Sequence, residues 1–222
     1  MIRKIITVLL LLLVPSISYG FISPKYDIYF RKYSRLYFSY AVDWKWFKCQ
    51  AAAESGINLD PRVVSYAGAV GVMQLMPKTS EWLSKELGIK NNPTDPKTNI
   101  MLGIYYDRKL YNIWKKCKNR LERLRFTFAS YNAGPGWIIK ANKMAPIKIK
   151  YTFKAIKKYL PSITGRSNSR QTIEYVERIE RYYFLIIGKE VKDTISFVSS
   201  AISLASLLIS KIKIICSGKS AT

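Results

Sequence analysis

Apolar residues recur along most of this chain at the three- and four-residue spacing of helices, and helix-ending residues separate the periodic stretches. No two stretches alternate in the way that paired strands do, so the pattern predicts a mostly α-helical domain. The predicted helices cover residues 42–54, 77–88, 95–114, 121–131, 137–142, 151–159 and 171–187.

The first predicted helix carries the most informative acidic residue of the chain. Gly56 stands where a left-handed C-terminal cap is expected, two residues after Glu54. At 3.6 residues per turn, Phe47, Ala51 and Glu54 share one face. A helix that buries Phe47 would therefore carry the Glu54 carboxylate into any cleft that the next segment forms.

A second long helix is marked by its start and by its apolar positions. Asp95 followed by Pro96 is an N-cap and first-turn pair. Four apolar residues of this helix are predicted to serve the core: Ile100, Ile104, Leu110 and Trp114.

The two ends of the chain are read separately from the helical domain. Residues 1–20 have two cations, an apolar run and a polar end, which fits a secretory signal peptide or a retained N-terminal membrane segment. Residues 21–40 have no clear period and are interpreted as a lead-in segment. Residues 194–210 are uncharged and mostly apolar but dotted with Ser, so a membrane anchor, a packed helix and a disordered tail all remain open.

The amino-acid composition excludes several classes of function. The chain has 222 residues, enough for one domain with a proper core, and it contains no His, which excludes Ser-His-Asp catalysis and His-ligated zinc peptidases. The net charge of +23 indicates attraction to polyanions, of which an anionic membrane surface and the cell wall suit an exported protein, unless the charge reflects a general compositional bias. No nucleic-acid-binding motif is present. Cys49 and Cys117 could pair, although burial of the two small thiols is the stronger interpretation.

Three motifs in order resemble the family-1 lytic transglycosylases, which have a goose-type lysozyme-like fold: ES at 54–55, SYAGAVGVMQLMP at 65–77 and ASYNAGPG at 129–136. The segments WKWF at 44–47 and RLRFTFASYNAGPG at 123–136 are most similar to the catalytic domain of the membrane-bound lytic transglycosylases of the F type. The resemblance implies one catalytic domain over residues 41–187, followed by an apolar C-terminal helix and basic tail over residues 188–222.

This resemblance implies an activity as well. The family cleaves the β-1,4 bond between N-acetylmuramic acid and N-acetylglucosamine in peptidoglycan, using one Glu first as acid and then as base, and leaves a 1,6-anhydro-muramyl end. Glycosidases commonly need two carboxylates, and Asp60, the nearest other one, is predicted to cap a turn. The implied catalytic residue is Glu54, its pKa is expected to be raised by burial, and no cofactor or metal is expected.

The family's other site residues carry over by position onto residues that would bind substrate: Ser55, Ser65, Met73, Gln74, Met76, Tyr131, Asn132, Gln171 and Tyr175. For Met73, core filling is the stronger interpretation. Two departures stand out, because the segment before Ser65 is longer than usual and Gln171 replaces a common Glu.

Three functions stay open on the sequence. The first is the transglycosylase, in the periplasm or cell envelope, acting on peptidoglycan glycan strands and serving an unidentified secretion or phage apparatus. The second is a catalytically silent module that binds the wall or is tethered to the membrane, and the third is a hydrolytic muramidase.

Overall fold

The computed structural model describes residues 22–216, with side chains described as far as residue 205. A 3₁₀ turn at Pro24–Tyr26 comes before the first α-helix, and another lies at Ile147–Ile149. The α-helices are α1 (Asp27–Phe38), α2 (Lys45–Ser55), α3 (Pro77–Glu86), α4 (Pro96–Ile113), α5 (Arg120–Ala133), α6 (Pro135–Met144), α7 (Phe153–Tyr159), α8 (Pro161–Thr164) and α9 (Arg166–Cys216). Within the described residues the only β-pairing consists of isolated bridges, so the prediction of a mostly helical chain is confirmed.

Residues 27–38, interpreted from sequence as part of an aperiodic lead-in, form the regular helix α1. Its buried face consists of Phe30, Tyr33, Ser34 and Phe38. Lys48 on α2 is fully buried and its Nζ lies 2.6 Å from Asp27 Oδ1. A buried ammonium is costly without a partner, so this ion pair attaches α1 to α2. The lead-in is therefore part of the packed domain.

The predicted C-terminal end of α2 and the predicted start and core positions of α4 agree with the structure, whereas α2 begins at Lys45, three residues later than predicted. Gly56 ends α2 with a φ of 85°, which favours glycine, but its ψ of 166° lies outside the left-handed helical region that the sequence predicted. The Asp95 carboxylate caps α4 by accepting a hydrogen bond of 2.8 Å from the Thr98 amide. The four apolar residues assigned to the core are all buried: Ile100, Ile104, Leu110 and Trp114.

The first part of α9 is attached to the rest of the domain by polar and aromatic contacts. The Arg125 guanidinium on α5 pairs with Glu122 at 2.8 Å and with Glu180 on α9 at 2.6 Å. Tyr183 stacks on Trp46 of α2, with ring centroids 3.8 Å apart. These contacts fix the position of the α9 residues that reach the candidate site.

The chain divides into two compact units, and residues 22–183 belong to the one that contains the motifs. Residues from 184 onward belong to the other unit, where residues 194–205 continue α9 and are helical. In the part of the chain described here, no helix has both the length and the apolar character that a membrane crossing requires.

Some predictions fall outside the described residues. The signal peptide or membrane segment at 1–20 does, and so does the side chain of Cys216. Cys49 and Cys117 are both buried free thiols, so the burial interpretation holds for them.

Candidate active site

Glu54 lies in the last turn of α2, two residues before the Gly56 cap. Phe47 and Ala51 on the same face are fully buried, as the helical spacing predicts, and Glu54 is partly buried. Its Oε1 accepts a hydrogen bond of 2.5 Å from the Tyr175 hydroxyl on α9. Two residues 121 positions apart in sequence therefore meet at one carboxylate.

The Glu54 carboxylate has a perturbed protonation equilibrium. Burial raises its pKa from 4.5 to about 7, because loss of water penalises the charged form. The hydrogen bond from Tyr175 and the charge of Arg178 act in the opposite direction. A group with this pKa is about half protonated at neutral pH, so it can donate or accept a proton there.

The segment after α2 folds back across the end of the helix. Ser55 donates hydrogen bonds to the Ala51 carbonyl at 3.1 Å and to the Val72 carbonyl at 2.9 Å. Ser65 Oγ accepts a hydrogen bond of 2.9 Å from the Ala69 amide. Both hydroxyls thus hold the loop in place, one against α2 and one within the loop itself.

Gln74 occupies a constrained position in this loop. Its φ is 46°, which is uncommon for a residue with a side chain. Its Nε2 donates to the carbonyls of Val63 and Gly71, both at 2.9 Å. The amide nitrogen is therefore used inside the loop, and Oε1 makes no hydrogen bond to the described residues.

Sequence reasoning missed the residue that holds this loop against α4. Asn99 is fully buried; its Oδ1 accepts from the Met73 amide at 2.7 Å, and its Nδ2 donates to the carbonyls of Val70 and Pro93 at 3.0 and 2.9 Å. A Cβ on Gly71 would come within 2.4 Å of the Pro93 oxygen. An Asn in the first turn of a helix gives no local signal of this role, because its partners lie 6 to 29 residues away.

Met73 and Tyr131 form a second support for the loop. Met73 is fully buried and packs closely against Gly103, so its side chain lies in the core and does not line a cleft. The Tyr131 hydroxyl donates to the Met73 carbonyl at 2.8 Å. This burial agrees with the core-filling interpretation of Met73, and Gly103 on α4 leaves room for the thioether inside.

The remaining predicted residues lie in two places. Met76 is 45% exposed at the start of α3. Asn132 Oδ1 accepts a hydrogen bond of 2.9 Å from Thr172, and Asn132, Thr172 and Gln171 line a cavity of about 410 Å³. Thr172 precedes Tyr175 by three residues, so the two lie on the same side of α9 about one turn apart.

A second carboxyl group lies close to Glu54 and was not anticipated from sequence. Asp107 on α4 is fully buried, and its Oδ1 accepts a hydrogen bond of 3.2 Å from Gln50 Nε2, one turn before Glu54. Burial raises the pKa of Asp107 well above its usual value, and the neighbouring Glu54 charge raises it further. Because Asp107 is fully buried, it has no access to a ligand.

Asp60 serves as a cap, as predicted. Its Oδ1 accepts from the Arg62 amide at 2.9 Å. Within the described residues, no cluster of three or more His, Cys, Asp or Glu side chains could hold a metal ion.

Comparisons with known sequences show which family the chain resembles. Residues 36–154, more than half of the chain, match the family model of the transglycosylase SLT domain. The membrane-bound lytic murein transglycosylase F of Photobacterium profundum is 31% identical over 75% of this chain, and that of Serratia proteamaculans is 29% identical over 74%. The chain spans about a third of the length of these curated relatives, 32% and 34% respectively.

Solved structures show the same fold. The 70 kDa soluble lytic transglycosylase of Escherichia coli superposes with a TM-score of 0.55 at 26% identity, covering 75% of this chain and 25% of that one. An inactive mutant of the lytic transglycosylase Slt of Pseudomonas aeruginosa superposes with a TM-score of 0.58 at 22% identity, covering 77% and 25%. From the matched family model and the motifs around Glu54, the chain belongs to the transglycosylase SLT domain family.

Proposed function

We propose that this protein is a peptidoglycan lytic transglycosylase in which Glu54 is the single acid and base. The observation that carries the proposal is the Glu54 carboxyl group, held by a 2.5 Å hydrogen bond from Tyr175 with a pKa of about 7. The names of the relatives and of the structural neighbours support the same reaction class.

In the first step, protonated Glu54 gives its proton to the oxygen that links N-acetylmuramic acid to N-acetylglucosamine. The bond from that oxygen to C1 of the muramyl sugar breaks, and N-acetylglucosamine leaves with a new hydroxyl. The positive charge left on the muramyl sugar is carried by an oxocarbenium-like state or by its own N-acetyl group. Oε1 already accepts from Tyr175, whereas Oε2 has no hydrogen bond to the described residues. Oε2 is thus the oxygen available to carry the proton.

In the second step, the Glu54 carboxylate takes the proton of the muramyl C6 hydroxyl. Oxygen O6 then attacks C1 of the same sugar and closes the 1,6-anhydro ring. Glu54 is protonated again, so the cycle consumes no water. Asp60 is bound to Arg62 in a turn and Asp107 is fully buried, which argues against a second carboxylate as nucleophile.

The substrate-binding roles of the other residues follow from their surroundings. Gln74 Oε1, Met76, Asn132 and Gln171 would contact the glycan, and Ser55, Ser65 and Tyr131 would keep the loop in position. The location proposed is the cell envelope, where the net charge of +23 would favour the anionic wall and membrane surfaces. The relatives' description as membrane-bound supports this location.

The deciding experiment compares wild type with Glu54→Gln on peptidoglycan, by zymography and by mass spectrometry of the released muropeptides. The substitution keeps the shape of the side chain but cannot give and retrieve a proton, so anhydro-muropeptides should disappear. Glu174→Gln, an exposed change on α9, is the matched control and should retain activity.

Each of the other possible results would indicate a different function for this protein. Near-normal turnover by Glu54→Gln would remove Glu54 from the mechanism. Products heavier by one water would indicate a muramidase. A wild type that binds peptidoglycan without releasing any muropeptide would be a silent module.

A further inference from the structure

The junction of α5 and α6 borders two adjoining cavities. One has a volume of about 410 Å³ and the other about 300 Å³, and both are lined by Ala133 and Trp137. Gly134 and Gly136 flank the turn, and a Cβ at either position would meet no atom within 4 Å. The space beside Trp137 is therefore open to a ligand of considerable size.

Trp137 is unusual among the residues of these cavities. It stands in the first turn of α6 with 47% of its surface exposed. The larger cavity is otherwise lined mainly by amide and hydroxyl side chains, including Asn132, Thr164 and Asn168. An indole ring among amides and hydroxyls suits a pyranose, since the ring stacks on the sugar's C–H groups and the polar groups bind its hydroxyls and acetamide.

A cation, the Lys140 ammonium, lies beside the indole ring of Trp137. Lys140 lies one helical turn after Trp137, lines the smaller cavity and is exposed, and its Nζ is 5.8 Å from the indole centroid. Within the described residues, Lys140 has no carboxylate partner. It is therefore available to an anionic group on whatever stacks against Trp137.

The larger cavity reaches α9 about one turn before the residue that holds Glu54. Asn132 lines the larger cavity and accepts a hydrogen bond from Thr172, which lines it as well. Tyr175, the partner of Glu54, lies about one turn, roughly 5 Å, further along α9. A glycan strand bound at Glu54 and extending along this part of α9 would therefore run toward the cavity that Trp137 lines.

We propose that Trp137 and Lys140 form a saccharide subsite beside Glu54, in which Trp137 stacks on one sugar ring of the strand and Lys140 pairs with a carboxylate of the peptide that a muramyl sugar carries. The identity of the ligand rests on the proposed function. The separate roles of Trp137 and Lys140 in binding do not rest on the proposed function, because binding can be measured without turnover.

The test measures binding by isothermal titration calorimetry, with every variant made in the Glu54→Gln background so that no ligand is consumed. The ligands are an uncharged N-acetylglucosamine tetramer and a glycan tetramer whose muramyl sugars carry their peptides. Trp137→Ala should weaken binding of both by about tenfold, whereas Trp137→Phe, which keeps an aromatic ring, should recover most of the affinity. Lys140→Gln should weaken only the peptide-bearing ligand, by roughly threefold to tenfold, as expected for an exposed ion pair.

The matched control is Trp82→Ala. Trp82 is 48% exposed on α3 and lines neither cavity, so both affinities should stay unchanged. Unaltered binding in a folded Trp137→Ala variant would overturn the subsite. An equal loss for both ligands in Lys140→Gln would overturn the pairing with a carboxylate.

The result also separates this inference from the proposed function. If wild type releases no muropeptide while Trp137-dependent binding persists, the transglycosylase proposal fails and the subsite stands. If turnover is normal and Trp137→Ala binds as before, the subsite fails alone.

Discussion

The hydrogen bond between Tyr175 and Glu54 permits a quantitative prediction. In the Tyr175→Phe variant the ring remains in its buried position but the hydroxyl that donates to Glu54 Oε1 at 2.5 Å is removed. This hydrogen bond favours the ionised carboxylate, so it lowers the pKa of Glu54 against the larger effect of burial. Its removal should therefore raise the pKa.

The size of the change follows from the energy of such a bond. A hydrogen bond to a charged group contributes about 1.5–3 kcal/mol, and one pKa unit corresponds to about 1.36 kcal/mol. The pKa of Glu54 should consequently rise by roughly one to two units above its value of about 7. Protonated Glu54 would then persist at more alkaline pH.

The assay is the pH dependence of kcat/KM for release of muropeptides. Because the first step needs protonated Glu54, activity should decline above the pKa of Glu54 in wild type. In Tyr175→Phe the alkaline limb should move upward by about one to two pH units, even if the maximum rate falls. Carbon-13 NMR titration of labelled glutamate should show the same displacement directly.

Tyr40→Phe is the control, since Tyr40 is 80% exposed on the segment after α1. Its pH profile should match wild type. An alkaline limb that stays in place or moves to lower pH in a folded Tyr175→Phe variant would refute the reasoning, because Tyr175 would then not stabilise the carboxylate.

Two further changes test the supports of the site. Folding raises the pKa of Asp107 above 3.8, so the contribution of this group to stability is present below pH 3.8 and is lost as pH rises. As pH rises above 3.8, the free energy of unfolding of Asp107→Asn should therefore increase relative to that of wild type by up to about 1.36 kcal/mol per pH unit. Urea unfolding that shows no such trend would contradict this prediction. Gly68 and Gly71 both have a φ of 84°, but only a Cβ on Gly71 meets other atoms. Alanine should cost about 1–2 kcal/mol at either position and roughly 1–3 kcal/mol more at Gly71, and equal losses in thermal unfolding would exclude the clash.

The local sequence was sufficient to predict features, such as helix ends, that depend on residues close together in the chain. Gly56 and the Asp95–Pro96 pair set helix ends through contacts within one turn, and both were predicted correctly. The face shared by Phe47 and Glu54 follows from helical geometry alone. By contrast, α1 was missed because its buried and exposed faces both carry aromatic or apolar residues, which blurs the period.

The supports of the site could not be predicted because their partners are distant. Asp107 and Asn99 are polar residues inside α4, and such residues usually face solvent. Their burial depends on what α2 and the loop before α3 present to that face. Only the family resemblance assigned Tyr175 to the site, since a lone Tyr on a helix is ordinarily interpreted as core.

The balance of forces on Glu54 explains why one carboxylate can suffice in the proposed mechanism. Burial alone would keep the group protonated, which favours the first proton transfer but leaves little carboxylate for the second. Several donors would do the reverse and hold it ionised. Tyr175 supplies one hydrogen bond, and Arg178 adds a weaker effect, so burial still raises the pKa but only to about 7. Because a group that gives a proton and then takes one back works best with a pKa near the ambient pH, the Tyr175 hydroxyl and the burial of Glu54 are opposed effects that both serve the cycle.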